Sequence, residues 1–308
     1  MNTPQQHTAP PQQPPVPPAS PAFPPQPQPQ TQGYWPGQTP VGGYVSPIPL
    51  RRATLTDALA AEWTKIRSLR STMWTLGTMV VLTVGIGLLI AVALGSTNGS
   101  TGENTGSVLV LGLYGVMLGV MCVITLGVLT ISSEYGTGLI RTTLTACPDR
   151  ARVLTAKAVV FFLLTFTITL LSTGIVAVAD DVFAGHLASV DPSGEQWVRA
   201  TIGMSLFVSL LGVVSLAVGT VVRHAAGAIT TMLGIVLLPL IMALFMDTSS
   251  LQDVRDALFG YSIPSQMAAL YDVNTLGGPT GWTPLWIMLG ATAVALGGAY
   301  TSLLKRDA

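Results

Sequence analysis

The sequence predicts an all-α integral membrane protein: six transmembrane helices, an N-terminal interfacial amphipathic helix, and both chain termini in the cytoplasm. Three observations predict it. Hydrophobic residues make up 49% of the chain and the mean hydropathy is +0.58. The apolar residues gather into uninterrupted runs of about 20, each long enough to cross about 30 Å of hydrocarbon as a helix. Charged residues are only 9% of the chain, well below the roughly 25% of soluble domains, and they fall almost entirely between the runs. The formal net charge is zero, which carries no nucleic-acid footprint. Cys122 and Cys147 form neither a disulfide framework nor a zinc motif, and His7, His186 and His224 lie in three separate segments, so no metal site is expected.

Residues 1–50 contain no Lys, Arg, Asp or Glu and are dominated by proline and glutamine. Such a stretch cannot bury enough apolar surface to offset the entropy of ordering, which predicts a disordered cytoplasmic tail with polyproline II character. Pro14-Pro15-Val16-Pro17-Pro18 carries overlapping PxxP spacings of the kind that dock aromatic grooves, but a solvated tail or tether is the favoured reading. The remainder, 51–308, opens with a predicted helix over 54–70. Thr54 and Asp57 give its capping signature, and Leu55, Leu59, Trp63 and Ile66 form an apolar stripe. Glu62, Lys65 and Arg67 lie mostly off that stripe. This places the helix in the interface plane, with Trp63 at headgroup depth and the basic residues toward phosphate.

The spans follow at about 74–94, 108–131, 153–178, 200–222, 226–245 and 282–304. Span two contains Gly115-x-x-x-Gly119, a spacing that lets helices approach closely. Lys157, near the start of span three, is expected to snorkel to the interface. Asp180, Asp181, His186, Asp191 and Glu195 form an expected acidic loop, and Arg223-His224 a very short turn. Pro239 predicts a kink in span five. Residues 246–281, with a short helix expected over 251–259, are too polar to span; they are expected to dip into the membrane edge or cap the bundle.

Orientation follows from Lys and Arg near the span ends. With the N-terminus inside, all of the 14 basic residues except Arg199 and Arg255 face the cytoplasm. The polar island 134–152, Glu134-Tyr-Gly-Thr-Gly-Leu-Ile-Arg141-Thr-Thr-Leu-Thr-Ala-Cys-Pro148-Asp-Arg-Ala-Arg152, then faces the cytoplasm between spans two and three. Gly136 and Gly138 permit a sharp turn as the chain leaves the membrane. A short helix from about Leu139 to Thr145 is expected to turn Leu139, Ile140 and Leu144 toward the bundle, and Pro148 ends it. Glu134 is expected to pair with Arg141 or with a basic residue of the amphipathic helix.

Several chemistries find no residues to carry them. No span holds an Asp, Glu, Arg or His near its middle, which disfavours ion-coupled transport. There is no HExxH and no GxSxG, and Asp180 with Asp181 is expected to be a solvated pair. No G-x-x-x-x-G-K-[ST] loop exists to hold ATP.

The order of amphipathic helix, two spans, Glu134-Tyr-Gly-Thr-Gly-Leu-Ile-Arg141-Thr-Thr-Leu, then Pro148-x-x-x-Arg152 and Lys157 resembles the ABC-2 family of ABC transporter permeases. Glu62-Trp-Thr-Lys-Ile-Arg67 is similar to that family's entry into span one. The resemblance covers about 54–306. It implies a non-enzymatic permease subunit in the plasma membrane that pairs with a second copy or a paralogue. A separate ABC ATPase subunit, carrying ATP and Mg, would dock on the 132–152 loop. Glu134, Gly136, Gly138, Arg141, Pro148 and Arg152 match the family's loop, where the coupling helix lies, and members are mostly exporters of drugs, lipids or lipid-linked glycans. Two alternatives stand beside it: a membrane-anchored scaffold working through the Pro-rich tail, and an ion-coupled secondary transporter.

Overall fold

The computed structural model describes residues 54–96, 107–146, 149–188, 191–246, 251–273 and 277–305, and of Arg141, Leu144 and Ala146 the backbone alone. The Pro/Gln-rich tail, Cys147, Pro148 and most of the loop between spans one and two lie outside the described residues. Within them all regular structure is helical. Six helical stretches are long and apolar enough to cross a membrane, and the chain is accordingly a multi-pass membrane protein.

Helix α1 (Leu55–Ser68) starts at a capping box. The Thr54 amide donates to Asp57 Oδ2 at 2.9 Å, and the Asp57 amide donates back to the Thr54 hydroxyl at 3.4 Å. A single extended residue, Leu69 (ψ 110°), separates it from α2 (Arg70–Gly95), the first span. Span two is α3 (Leu111–Thr137), followed by the short α4 (Leu139–Ala146). Span three, α5, runs from Arg150 to Ala184. It is longer than expected, and Asp180 and Asp181 therefore lie on a helix and not in an acidic loop. Asp180 is 0% exposed while Asp181 is exposed, because neighbouring helical residues point about 100° apart. The pair is thus neither jointly solvated nor a dyad.

Span four joins α6 (Gly194–Val198), a π-helical turn (Arg199–Gly203) and α7 (Met204–Val222). Span five is α8 (Ala225–Phe245), which runs through Pro239, and span six is α11 (Thr283–Lys305). Between them come α9 (Gln252–Gly260) and α10 (Ile263–Leu270). Ser262 caps α10 and Pro264 sits in its first turn, where a missing N–H costs nothing. From Ser265 to Leu270 this helix is buried, packed on α3, α7, α8 and α11. The segment caps the bundle.

Helix α7 is the centre, packed against α3, α5, α8 and α11. Ser205, Ser209, Ser215 and Thr220 are fully buried on it, and each donates to a carbonyl one turn back, so none needs a partner across the interface. Small residues bring the helices together: a Cβ at Gly127 would collide with the Gly212 carbonyl and Ser215 of α7. The Gly115 and Gly119 pair lies against Thr83 of α2, so the GxxxG spacing serves packing inside the chain. Outward, α2, α8 and α11 expose Trp74, Val81, Leu89, Phe245, Trp286 and Val294, a belt suited to lipid and not to water. At one end of the bundle Arg150 Nη1 donates to the Leu303 carbonyl at 3.0 Å, setting the end of α11 beside the start of α5.

Candidate functional site

At that end four charged side chains from three helices meet. Lys157 Nζ of α5 donates to Glu62 Oε2 of α1 at 2.6 Å and to Glu134 Oε1 of α3 at 2.9 Å. Lys65 Nζ of α1 donates to Glu62 Oε1 at 2.8 Å and to the same Glu134 oxygen at 2.9 Å. A further contact, Lys65 Nζ to Thr143 Oγ1 at 3.4 Å, reaches α4. Two acids and two bases leave the cluster neutral. Lys157 is 1% exposed on its side chain and Lys65 36%.

The expected snorkelling of Lys157 is corrected by this geometry. An ammonium this deeply enclosed needs a counter-charge, and Glu62 and Glu134 supply it within the protein. The same demand sets the rotation of α1. Glu62 and Ile66 are the buried residues of that helix, while Trp63 of the expected stripe is 50% exposed and Leu55 is exposed with it. Arg67 is also exposed. The face that docks on the bundle therefore joins Glu62 to Ile66 of the stripe, and Trp63 and Arg67 stay outside it.

Burial alone pushes the Glu62 carboxyl up; Lys157 and Lys65 together outweigh it and hold the group below the usual glutamate range. Burial likewise pushes the Lys65 ammonium down, and Glu62 and Glu134 reverse this, holding it above the ordinary lysine range.

The loop itself follows much of its expected course. Helix α4 covers the expected 139–145. Gly138 closes α3 with φ +74°, a left-handed conformation that glycine adopts freely. Gly136 instead lies inside the last turn of α3 and makes no turn of its own. Ile140 is buried as expected, but Leu139 is 53% exposed and faces away from the bundle. Arg152 pairs with Asp149, the N-cap of α5, at 3.2 Å. The Arg141 and Leu144 side chains and Pro148 fall outside the description.

Beside the cluster, Arg223 takes φ +58° at the α7–α8 corner and lays its guanidinium 5.1 Å from the centre of the Tyr135 ring. Thr143 is a site residue that the sequence did not single out, and Lys157 was noted without its partners. A signal for those was present: a lone charge four residues inside an apolar run requires a counter-charge.

No family model and no curated protein matches the chain.

The opposite end of the bundle lies about 40 Å away along α3 at 1.5 Å per residue. There Arg199 holds Asp272, just beyond α10, in a bidentate pair at 2.6 and 2.7 Å, and Gln196 adds a hydrogen bond at 2.9 Å. Neither oxygen of buried Asp180 has a hydrogen-bond partner among the described residues. The cluster at the α4 end is compensated internally, each ammonium paired with both carboxylates. It is a neutral ionic lock that fixes α1, α3 and α5 together and touches α4.

Proposed function

We propose that the chain is the transmembrane permease subunit of an ATP-driven ABC exporter, with no catalytic activity of its own. The observation that carries this reading is α4: a short helix between spans two and three, with Leu139, Thr142 and Thr145 exposed and its other contacts leading into the ionic lock. A separate ABC ATPase subunit, which holds ATP and Mg, docks on this helix. The lock then passes the push of the ATPase to α1, α3 and α5 as one body, because three helices sharing two carboxylates and two ammonium groups do not move independently without breaking charge pairs. The α4 end faces the cytoplasm, consistent with the basic residues gathered there, and the protein resides in the plasma membrane. A second copy or a paralogue completes the pathway. The aliphatic and hydroxyl-bearing interior suits an amphipathic, drug-like, lipid or glycolipid passenger.

The test is purification of the tagged full chain in mild detergent, as wild type and as Leu139→Asp, scoring co-purified ATPase subunit and vanadate-sensitive ATP hydrolysis. Wild type is expected to bring down a stoichiometric ATPase, and Leu139→Asp to lose it at unchanged yield. A wild-type preparation without any ATPase in several detergents overturns the reading.

A further inference from the structure

We propose that the corner between α1 and α2 is a binding site for the phosphate of an anionic phospholipid. The inference rests on the membrane-spanning architecture and stands whether or not the chain proves to be a permease.

The sequence at this corner is a mirrored pattern, Trp63-x-x-x-Arg67-x-x-Arg70-x-x-x-Trp74, centred on the break at Leu69. Trp63 and Arg67 are one turn apart on the exposed side of α1. Arg70 and Trp74 are one turn apart on α2, on the stripe that continues with Val81, and Trp74 is 77% exposed. Leu69 and Met73 are also exposed between them. Each helix therefore offers one arginine toward the corner and one tryptophan away from it.

Neither arginine has an ion pair or a side-chain hydrogen bond among the described residues. The acids that stand near them in sequence are engaged: Glu62 with Lys65 and Lys157, and Asp57 with its own capping box. The helix dipoles add little, because the C-terminus of α1 and the N-terminus of α2 meet at Leu69 and offset each other, so the arginines carry the positive field. Two uncompensated guanidinium groups on an exposed corner complement a phosphate, which arginine binds through paired N–H donors.

The surroundings select a lipid phosphate. Below the corner the exposed stripe of α2 turns wholly apolar at Val81 and Leu89, so the arginines sit where hydrocarbon gives way to headgroups. Tryptophans prefer that depth. A zwitterionic lipid brings its own cation to the phosphate and would leave the arginines partly uncompensated; a net-negative headgroup does not. A lipid bound there also braces α1 from outside, on the face opposite Glu62.

The test reconstitutes the full chain in nanodiscs of phosphatidylcholine with a minor fraction of phosphatidylglycerol, and measures by native mass spectrometry the lipid retained after release into detergent. Wild type is expected to retain phosphatidylglycerol above its supplied fraction, by up to roughly fivefold for each arginine. Arg67→Gln/Arg70→Gln is expected to return to the supplied ratio, while Lys305→Gln, at the end of α11, keeps the wild-type enrichment. Inorganic phosphate added as competitor is expected to leave the enrichment in place. Equal retention in wild type and the double arginine variant overturns the site. So does an equal loss in Lys305→Gln, which marks a diffuse charge effect, or displacement by inorganic phosphate, which marks a site for free anions.

Discussion

Lys157 is the residue on which the ionic lock depends most. It is the one base of the cluster with no access to water, and both acids converge on it. Removing one partner of a buried pair leaves an uncompensated charge, at a cost of about 3–5 kcal/mol, so Lys157→Met is expected to destabilise the detergent-purified protein on that scale. Adding Glu62→Gln and Glu134→Gln to that variant should recover most of the loss, because the stranded charges go with it. Lys65 is about a third exposed, where water screens its charge, and Lys65→Met is expected to cost about 1 kcal/mol. Denaturant titrations of the four proteins measure this; a silent Lys157→Met would show that the cluster stabilises nothing. The pH dependence follows from the shifts. The Glu62 carboxyl is held below its ordinary value, so its contribution is present above that value and is lost as pH falls through the depressed one. The Lys65 ammonium is held above its ordinary value, so its contribution is lost only in strong base. The docking of α1 is therefore flat across the neutral range.

At the scale of elements, α10 is a packed helix whose C-terminal end is tied by one ion pair. It is buried, and it is followed by Asp272 at φ +62°, a left-handed conformation uncommon for a non-glycine residue and best tolerated by asparagine and aspartate. Arg199, which opens the π-helical turn at the head of span four, holds that carboxylate. Burial pushes the Asp272 carboxyl up, but the hydrogen bonds from Arg199 and Gln196 and the Arg199 charge prevail and hold it below the usual range. The pair is thus intact above the ordinary aspartate value of about 3.9 and is lost as pH falls through the depressed one. Hydrogen exchange over residues 263–273 is expected to be unchanged between neutral pH and about pH 5 once corrected for intrinsic rates, and to accelerate in more acidic buffer. Asp272→Asn should accelerate it at every pH. Equal protection in the variant would mean that packing alone seats α10.

For the molecule as a whole, the bundle has two unlike ends, and the orientation is open to a direct test. Thr137, where α3 meets α4, and Asp181, at the far end of α5, are both exposed. With Cys122 and Cys147 replaced by serine, Thr137→Cys is expected to react with an impermeant maleimide only after cells are opened, and Asp181→Cys in intact cells; the reverse pattern overturns the cytoplasmic assignment of the α4 end. The count of the spans was legible in the sequence, as were α4 and α9 to within a residue or two, because apolar runs and turn chemistry are local properties of a chain; spans two, three and four run past their expected ends, where polar residues continue the helix. The assignment of Glu134 to a partner on the amphipathic helix was legible too, as one of two choices. What the sequence could not decide was rotation and company. Glu62 and Lys157 stand 95 residues apart, and their meeting depends on how α1 rolls against α5 and on the register of α3 between them. The stripe of Leu55, Leu59, Trp63 and Ile66 does not by itself turn Glu62 inward, and local periodicity cannot weigh it against the cost of leaving a buried ammonium alone. The length of apolar runs, a one-dimensional property, determined that this is a six-span membrane protein; only the packed helices decided which charges neutralise one another, because an enclosed charge takes its partner from whatever helix lies within hydrogen-bonding reach.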